Sequence, residues 1–99
     1  MTYRPLPKQV TIKQSEIEGL GLYSTESLYP GQYLGITHVA NDRFENGYIR
    51  TPLGGFINHS DTPNCEVRED VDRSLMLFTL RQILPNEELT LKYNLYEVH

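Results

Sequence analysis

Proline and glycine interrupt this chain at such short intervals that no long helix fits between them. Six prolines and seven glycines are spread over 99 residues. The runs they bound are rich in Val, Ile, Leu, Tyr and Thr, residues that suit a pleated, half-buried surface. Strands are predicted at 10–13, 22–24, 32–37, 65–68, 75–80 and 88–93, with turns at 18–21, 29–31, 70–73 and 85–86. The segment 66–80 reads as a hairpin in which Met76, Phe78 and Leu80 alternate with polar or smaller neighbours. No eleven-residue window keeps a 3.6-residue apolar period. The stretch 40–53 is the least regular and has room for a helical turn or two. In the last strand Leu89, Leu91 and Tyr93 share one face and Glu88, Thr90 and Lys92 the other, because strand side chains alternate. That alternation turns Tyr93 toward the interior.

The length is that of one compact domain, taken here as residues 1–99. So short a chain buries a modest share of its surface, so a bound ligand or a second copy would supply part of its stability, and a homodimer is one expectation. The formal net charge is -4, and the nine Lys and Arg form no basic run. Binding to phosphate backbones rests on clustered positive charge, so no direct nucleic-acid partner is expected. An acidic surface steers basic peptides or proteins instead. Cys65 is the single cysteine, which excludes an internal disulfide and a cysteine-built zinc site within the chain. Residues 1–10 lack the apolar stretch of a secretory signal, and no segment approaches the ~20 apolar residues of a membrane span. The expectation is an intracellular, soluble protein.

Four places carry candidate chemistry. Gly19-Leu20-Gly21 reads as a loop that lets backbone approach a ligand or simply as a tight turn. It lacks the Lys-Ser/Thr of a Walker loop and no helix pattern follows it, so phosphate readings fail. Asn58-His59-Ser60 has the form of a glycosylation sequon without a secretory context. The stretch 58–64 also suits a plain polar turn. His38, His59 and His99 show no metal-ligand spacing, and Ser60 lacks the glycines of a nucleophile elbow. Tyr93 reads either as a reactive phenol or as a core aromatic with its hydroxyl satisfied.

Taken in order along the chain, these places resemble the motifs of the SET domain family. Gly19-Leu20-Gly21-Leu22-Tyr23 resembles its Gly-x-Gly segment, with Leu34-Gly35-Ile36 following at the right distance. Phe56-Ile57-Asn58-His59-Ser60-Asp61-Thr62-Pro63-Asn64 resembles the Phe-x-Asn-His-Ser-x-x-Pro-Asn signature, and Asn86-Glu87-Glu88-Leu89-Thr90-Leu91-Lys92-Tyr93 the Gly-Glu-Glu-Leu-Thr-x-x-Tyr ending. The likeness covers about residues 8–96. It implies a mainly β fold of several small sheets, of the β-clip type, with few short helices and a C-terminal segment passing beneath a preceding loop in a knot-like crossing. It also implies S-adenosylmethionine as cofactor, a lysine of a protein or peptide as methyl acceptor, and no metal. By this resemblance Glu18, Gly19, Leu20, Gly21, Leu22, Asn58 and His59 contact the cofactor and Tyr93 serves catalysis. Tyr48, Phe56, Leu91 and Tyr96 are the candidates for lining the lysine channel.

The chain departs from the usual pattern in four respects. The insert between Val39 and Leu53 is short, and in the family this insert helps bind the substrate peptide. Asp61 stands where a cysteine often follows Asn-His-Ser, with no cysteine-rich tail after Tyr93. Gly55 stands where an arginine is common. Leu91 occupies a position where Phe or Tyr is frequent, leaving room for more than one methylation round. Trimmed inserts of this kind resemble compact stand-alone members of viral and bacterial type. A SET-fold module that binds without catalysing is the alternative expectation.

Overall fold

The computed structural model describes residues 6–43 and 47–92. Within them lie eight strands and one helical turn: β1 Val10–Gln14, β2 Leu20–Ser24, β3 Tyr33–Ala40, β4 Tyr48–Arg50, α1 Pro52–Gly55, β5 Asn58–His59, β6 Cys65–Glu69, β7 Leu75–Thr79 and β8 Thr90–Leu91. The architecture is mainly β and divided among small sheets, as the punctuated sequence implies. β1 and β2 form an antiparallel hairpin, β4-β3-β7-β6 a four-stranded sheet, and β5 and β8 a short parallel pair.

Each predicted strand is present, with shifted bounds. The hairpin β1–β2 pairs Val10 with Ser24 through Gln14 with Leu20. Its loop is closed by the Ser15 amide donating to the Gly19 carbonyl at 2.7 Å, with Gly19 at φ +49°. Positive φ costs glycine no Cβ clash, which accounts for the residue at that corner. The predicted hairpin at 66–80 is β6–β7, in register from Cys65 opposite Thr79 to Glu69 opposite Leu75. In β7 the inward residues are Leu75, Leu77 and Thr79, while Met76 and Phe78 lie on the outer face and Leu80 is exposed. β3 carries two register shifts against β7, one between Tyr33 and Gly35 and one between Ile36 and His38. The second lets consecutive residues Thr37 and His38 both turn inward, which a regular strand forbids.

The irregular stretch 40–53 holds β4 and leads into α1. Thr51 caps that single turn with its hydroxyl, and Pro52 sits where a missing amide costs nothing. Among the described residues of the predicted last strand, Thr90 and Leu91 pair as strand; residues 93–99 lie outside the described residues, and with them Tyr93, Tyr96 and the expected knot-like crossing.

Leu22, Leu28, Leu77, Ile83 and Leu89 are fully buried and join eight further apolar residues in one core. Burying each such side chain contributes roughly 1.5–3 kcal/mol. The segment 84–91 runs along this core and ties distant elements together. The Ser24 amide donates to the Glu87 carbonyl and the Leu89 amide to the Leu22 carbonyl, at 3.0 and 2.8 Å. Two residues later the same segment pairs with β5, Asn58 opposite Thr90 and His59 opposite Leu91. β2 and β5 are thereby brought to either side of one strand.

Candidate cofactor site

The side chains that meet at this junction come from all three motif segments. Asn58 lies on β5 with its amide nitrogen directed at the β1–β2 loop. That nitrogen lies 3.1 Å from the Glu18 carbonyl, 3.3 Å from the Leu20 carbonyl, 3.1 Å from Ser15 Oγ and 2.9 Å from Glu88 Oε2. Two amide protons serve these four acceptors, so some of the bonds are shared. The turn around Gly19 is therefore anchored through its carbonyls to Asn58.

Glu88 forms the floor of the junction. Ser15 Oγ donates to its carboxylate, at 2.9 and 2.8 Å from the two oxygens, and the Tyr23 hydroxyl approaches at 3.3 Å. A Cβ at Gly21 would overlap the Glu88 carboxylate, so a larger residue there would displace that side chain from its place in the junction. Partial burial, reinforced by the charge of Glu88, pushes the Tyr23 phenol above its ordinary value. Tyr23 therefore remains a proton donor at neutral pH. Neither Ser15 nor Glu88 was given a site role by the sequence, although Glu88 lies in one of the quoted motifs. Ser15 sits in a turn-forming stretch, its hydroxyl accepting from the Ile17 and Glu18 amides, and that local pattern is its one sequence signal.

The other predicted cofactor residues divide by exposure. Glu18, Gly19 and Leu20 are exposed, Leu20 by 51 %. Gly21 and Leu22 are buried, Leu22 completely, so their side faces are turned away from solvent. His59 is exposed, its Nε2 lying 3.2 Å from Asp61 Oδ1, and Asp61 is the residue standing in the usual cysteine position. The Ser60 amide donates to the Leu91 carbonyl at 2.9 Å, which fixes the backbone after His59.

The candidate channel residues are more scattered. Tyr48 is half-buried against the core, its ring edge-on to His38 at 5.9 Å. Phe56 ends α1 and is partly exposed, whereas Leu91 is buried. Tyr93 and Tyr96 lie outside the described residues. Burial pushes the Cys65 thiol up to about 12, which removes it as a nucleophile. Beside the junction, an open groove of about 560 Å3 is lined by Lys13, Gln14, Glu16, Tyr23, Asn86 and Glu88. None of the predicted site residues lines it.

A model of the SET domain matches residues 36–94, more than half of the sequence. The chain belongs to the SET domain family. An H3 lysine-36 specific histone-lysine N-methyltransferase of Mycosarcoma maydis is 35 % identical over 86 residues, 84 % of this chain and 8 % of that protein. The corresponding enzyme of Cryptococcus neoformans is 47 % identical over 45 residues, 42 % of this chain and 5 % of that protein. The chain thus spans less than a tenth of the length of these curated relatives. Among solved structures, the methyltransferase domain of human PR domain-containing protein 2 superposes with a TM-score of 0.68 at 18 % identity, covering 90 % of this chain and 79 % of that one. A Plasmodium falciparum chain suggested to be a histone methyltransferase gives 0.69 at 19 % identity, covering 91 % and 96 %. These two likenesses establish the SET fold.

The surface of this SET domain over residues 18–20 suits S-adenosylmethionine in its donor set and its space. A Cβ at Gly19 would meet nothing within 4 Å, so the backbone there is open to approach. Leu20 offers an exposed apolar side chain for an aromatic base, and the exposed carboxylates of Glu16 and Glu18 complement a sulfonium and an ammonium. Among the described residues no helix is long and apolar enough to cross a membrane. Nor do they contain three or more His, Cys, Asp and Glu grouped to hold a metal ion.

Proposed function

We propose that this SET domain transfers a methyl group from S-adenosylmethionine to a lysine side chain of a protein. The observation that carries the reading is the Asn58 amide, which joins the Gly19 turn to the Glu88 strand and so assembles the three family motifs into one site. Glu18, Gly19 and Leu20 would hold the cofactor, with the backbone of Gly21 and Leu22 behind them and Asn58 and His59 alongside. Bound there, S-adenosylmethionine supplies an electrophilic methyl on a positively charged sulfur.

The work left to the protein is positioning. A neutral lysine nitrogen has to be aimed in line with the carbon–sulfur bond, and holding two reactants in that geometry replaces a costly encounter. An apolar approach disfavours the ammonium form and helps the lysine shed its proton before attack. Leu91, Phe56 and Tyr48 are the residues we assign to that approach. Tyr93 follows by two residues the Leu91 that pairs with His59, a connectivity that supports a role for its hydroxyl in orienting the methyl group. The net charge of -4 favours basic protein segments as acceptors, a preference in keeping with relatives named for histone H3.

The test is calorimetry with S-adenosylmethionine, followed by transfer of labelled methyl to histone H3 and to a panel of basic peptides. Saturable binding and labelling of lysine are expected, with Tyr93→Phe lowering turnover by about a hundredfold or more. Absence of binding at millimolar cofactor overturns the proposal and leaves a SET-fold module that binds without catalysing.

A further inference from the structure

We infer that Glu88 is a positioning residue for cofactor capture, its carboxylate holding the Ser15–Leu20 turn and Asn58 in the arrangement that receives the ligand. The inference rests on the cofactor reading given above. Among the described residues three donors face this carboxylate: the Ser15 hydroxyl, the Asn58 amide nitrogen and the Tyr23 phenol, whose proton is shared with the Gln14 carbonyl at 3.1 Å. An ionised carboxylate is acceptor-only, so it satisfies all of them together. With the Ser15 proton committed to Glu88, the lone pairs of the same hydroxyl accept from the Ile17 amide at 2.8 Å and the Glu18 amide at 3.3 Å. With one Asn58 proton committed to Glu88, the other is left to be shared among the Glu18 and Leu20 carbonyls and Ser15 Oγ. The polarity of both chains of bonds is set at the carboxylate and ends on the turn.

Glu88 is half-buried against the Cβ side of Gly21, with its carboxylate bonded to Ser15 and Asn58. It therefore acts through Ser15 and Asn58 and has no part in the methyl transfer. Glutamine at this position is nearly the same size but carries an NH2 group. Placed at Oε2, that group would face Asn58 Nδ2 as a donor against a donor; placed at Oε1, it would face Tyr23 and Ser15 Oγ, whose lone pairs already accept from the Ile17 and Glu18 amides. The loss should fall on cofactor affinity and leave the chemical step alone.

The experiment compares wild type with Glu88→Gln and, as a milder variant, Ser15→Ala. Folding is checked by thermal melting and by amide spectra of β3, β6 and β7. Glu88→Gln is expected to raise the Kd and KM for S-adenosylmethionine by about tenfold or more, with kcat at saturating cofactor within about threefold of wild type. Ser15→Ala should move the same constants in the same direction by less, and it decides the matter if Glu88→Gln fails to fold. A folded variant that binds cofactor like wild type, or one that loses kcat with KM unchanged, overturns the inference. Hydrogen exchange at the Gly19, Leu20 and Gly21 amides separates this from failure of the cofactor reading. If wild type binds no cofactor yet exchange at these amides quickens in Glu88→Gln, Glu88 orders the turn and its role in capture is overturned. Unchanged exchange overturns the ordering as well.

Discussion

The side chain of Asn64 grips the backbone of Thr90 and Glu88 as a strand would: Oδ1 accepts the Thr90 amide at 2.8 Å and Nδ2 donates to the Glu88 carbonyl at 2.8 Å. Asn64 and Thr90 are both buried, so the Thr90 amide has no water as a substitute partner. This clamp presents Glu88 to the cofactor site and β8 to β5.

Asn64→Ala should therefore cost roughly 2–4 kcal/mol of unfolding free energy, two hydrogen bonds with the stranded Thr90 amide counted in. Asn64→Asp retains the acceptor but turns an oxygen toward the Glu88 carbonyl, so it should recover little of that loss. Chemical denaturation of the three proteins measures both effects. A change below about 0.5 kcal/mol for Asn64→Ala would show that the clamp is dispensable.

Two adjacent glycines of α1 should respond unequally to the same change. A Cβ at Gly54 would overlap the carbonyl oxygen of Thr37 on β3, a backbone atom that cannot step aside. At Gly55 the nearest atom is Arg50 Cδ at 3.7 Å, an ordinary contact. Gly54→Ala should destabilise by roughly 1–3 kcal/mol through overpacking, and Gly55→Ala should stay within about 0.5 kcal/mol of wild type. Equal melting temperatures for the two variants would contradict the close packing of α1 on β3.

Stability should fall on mild acidification because of His38. Burial, assisted by the positive charge of Arg50 opposite it, holds this imidazole down at about 4, against 6.5 for the free side chain. The folded state therefore binds its proton less readily than the unfolded chain. The contribution is fully present above pH 6.5 and is lost as the pH falls through that value toward 4. Its size is of the order of 2 kcal/mol. Urea denaturation at pH 7.5 and pH 5 measures it. His38→Gln should flatten the profile between those values, and an unchanged slope in that variant would remove His38 as its cause.

Much of this fold was legible before any coordinates because its long strands repeat locally. Leu75, Leu77 and Thr79 alternate with Met76 and Phe78, and proline, glycine and asparagine mark the corners between such runs. β5 was not legible as a strand. Two residues have no period, and Asn58-His59 pairs with Thr90-Leu91 more than thirty positions away. Asn58 was found through its likeness to a family signature; Glu88 fell inside another such likeness but was given no role, and Ser15 was not found at all. The bond between them spans 73 residues, and a serine or a glutamate takes its meaning here from the fold that closes that distance. Tyr93, the residue on which the sequence places most chemical weight, lies outside the described residues.

Cys65 offers a probe of the whole arrangement. Its side chain is 1 % exposed, and burial pushes the thiol up to about 12 from an ordinary 9.0. At pH 8 the native thiolate population is then about a thousandfold below that of an unfolded chain, and the sulfur is out of reach of reagent as well. Alkylation should consequently proceed through transient opening and follow the population of open molecules. Since Cys65 follows Asn64 directly and pairs with Thr79 across β6 and β7, loosening the clamp should expose it. Asn64→Ala is expected to speed iodoacetamide labelling by about tenfold or more, in step with its loss of stability. Quantitative mass spectrometry follows the labelling. Fast modification of the native wild-type protein at pH 8 would mean that β6 is not sealed as described.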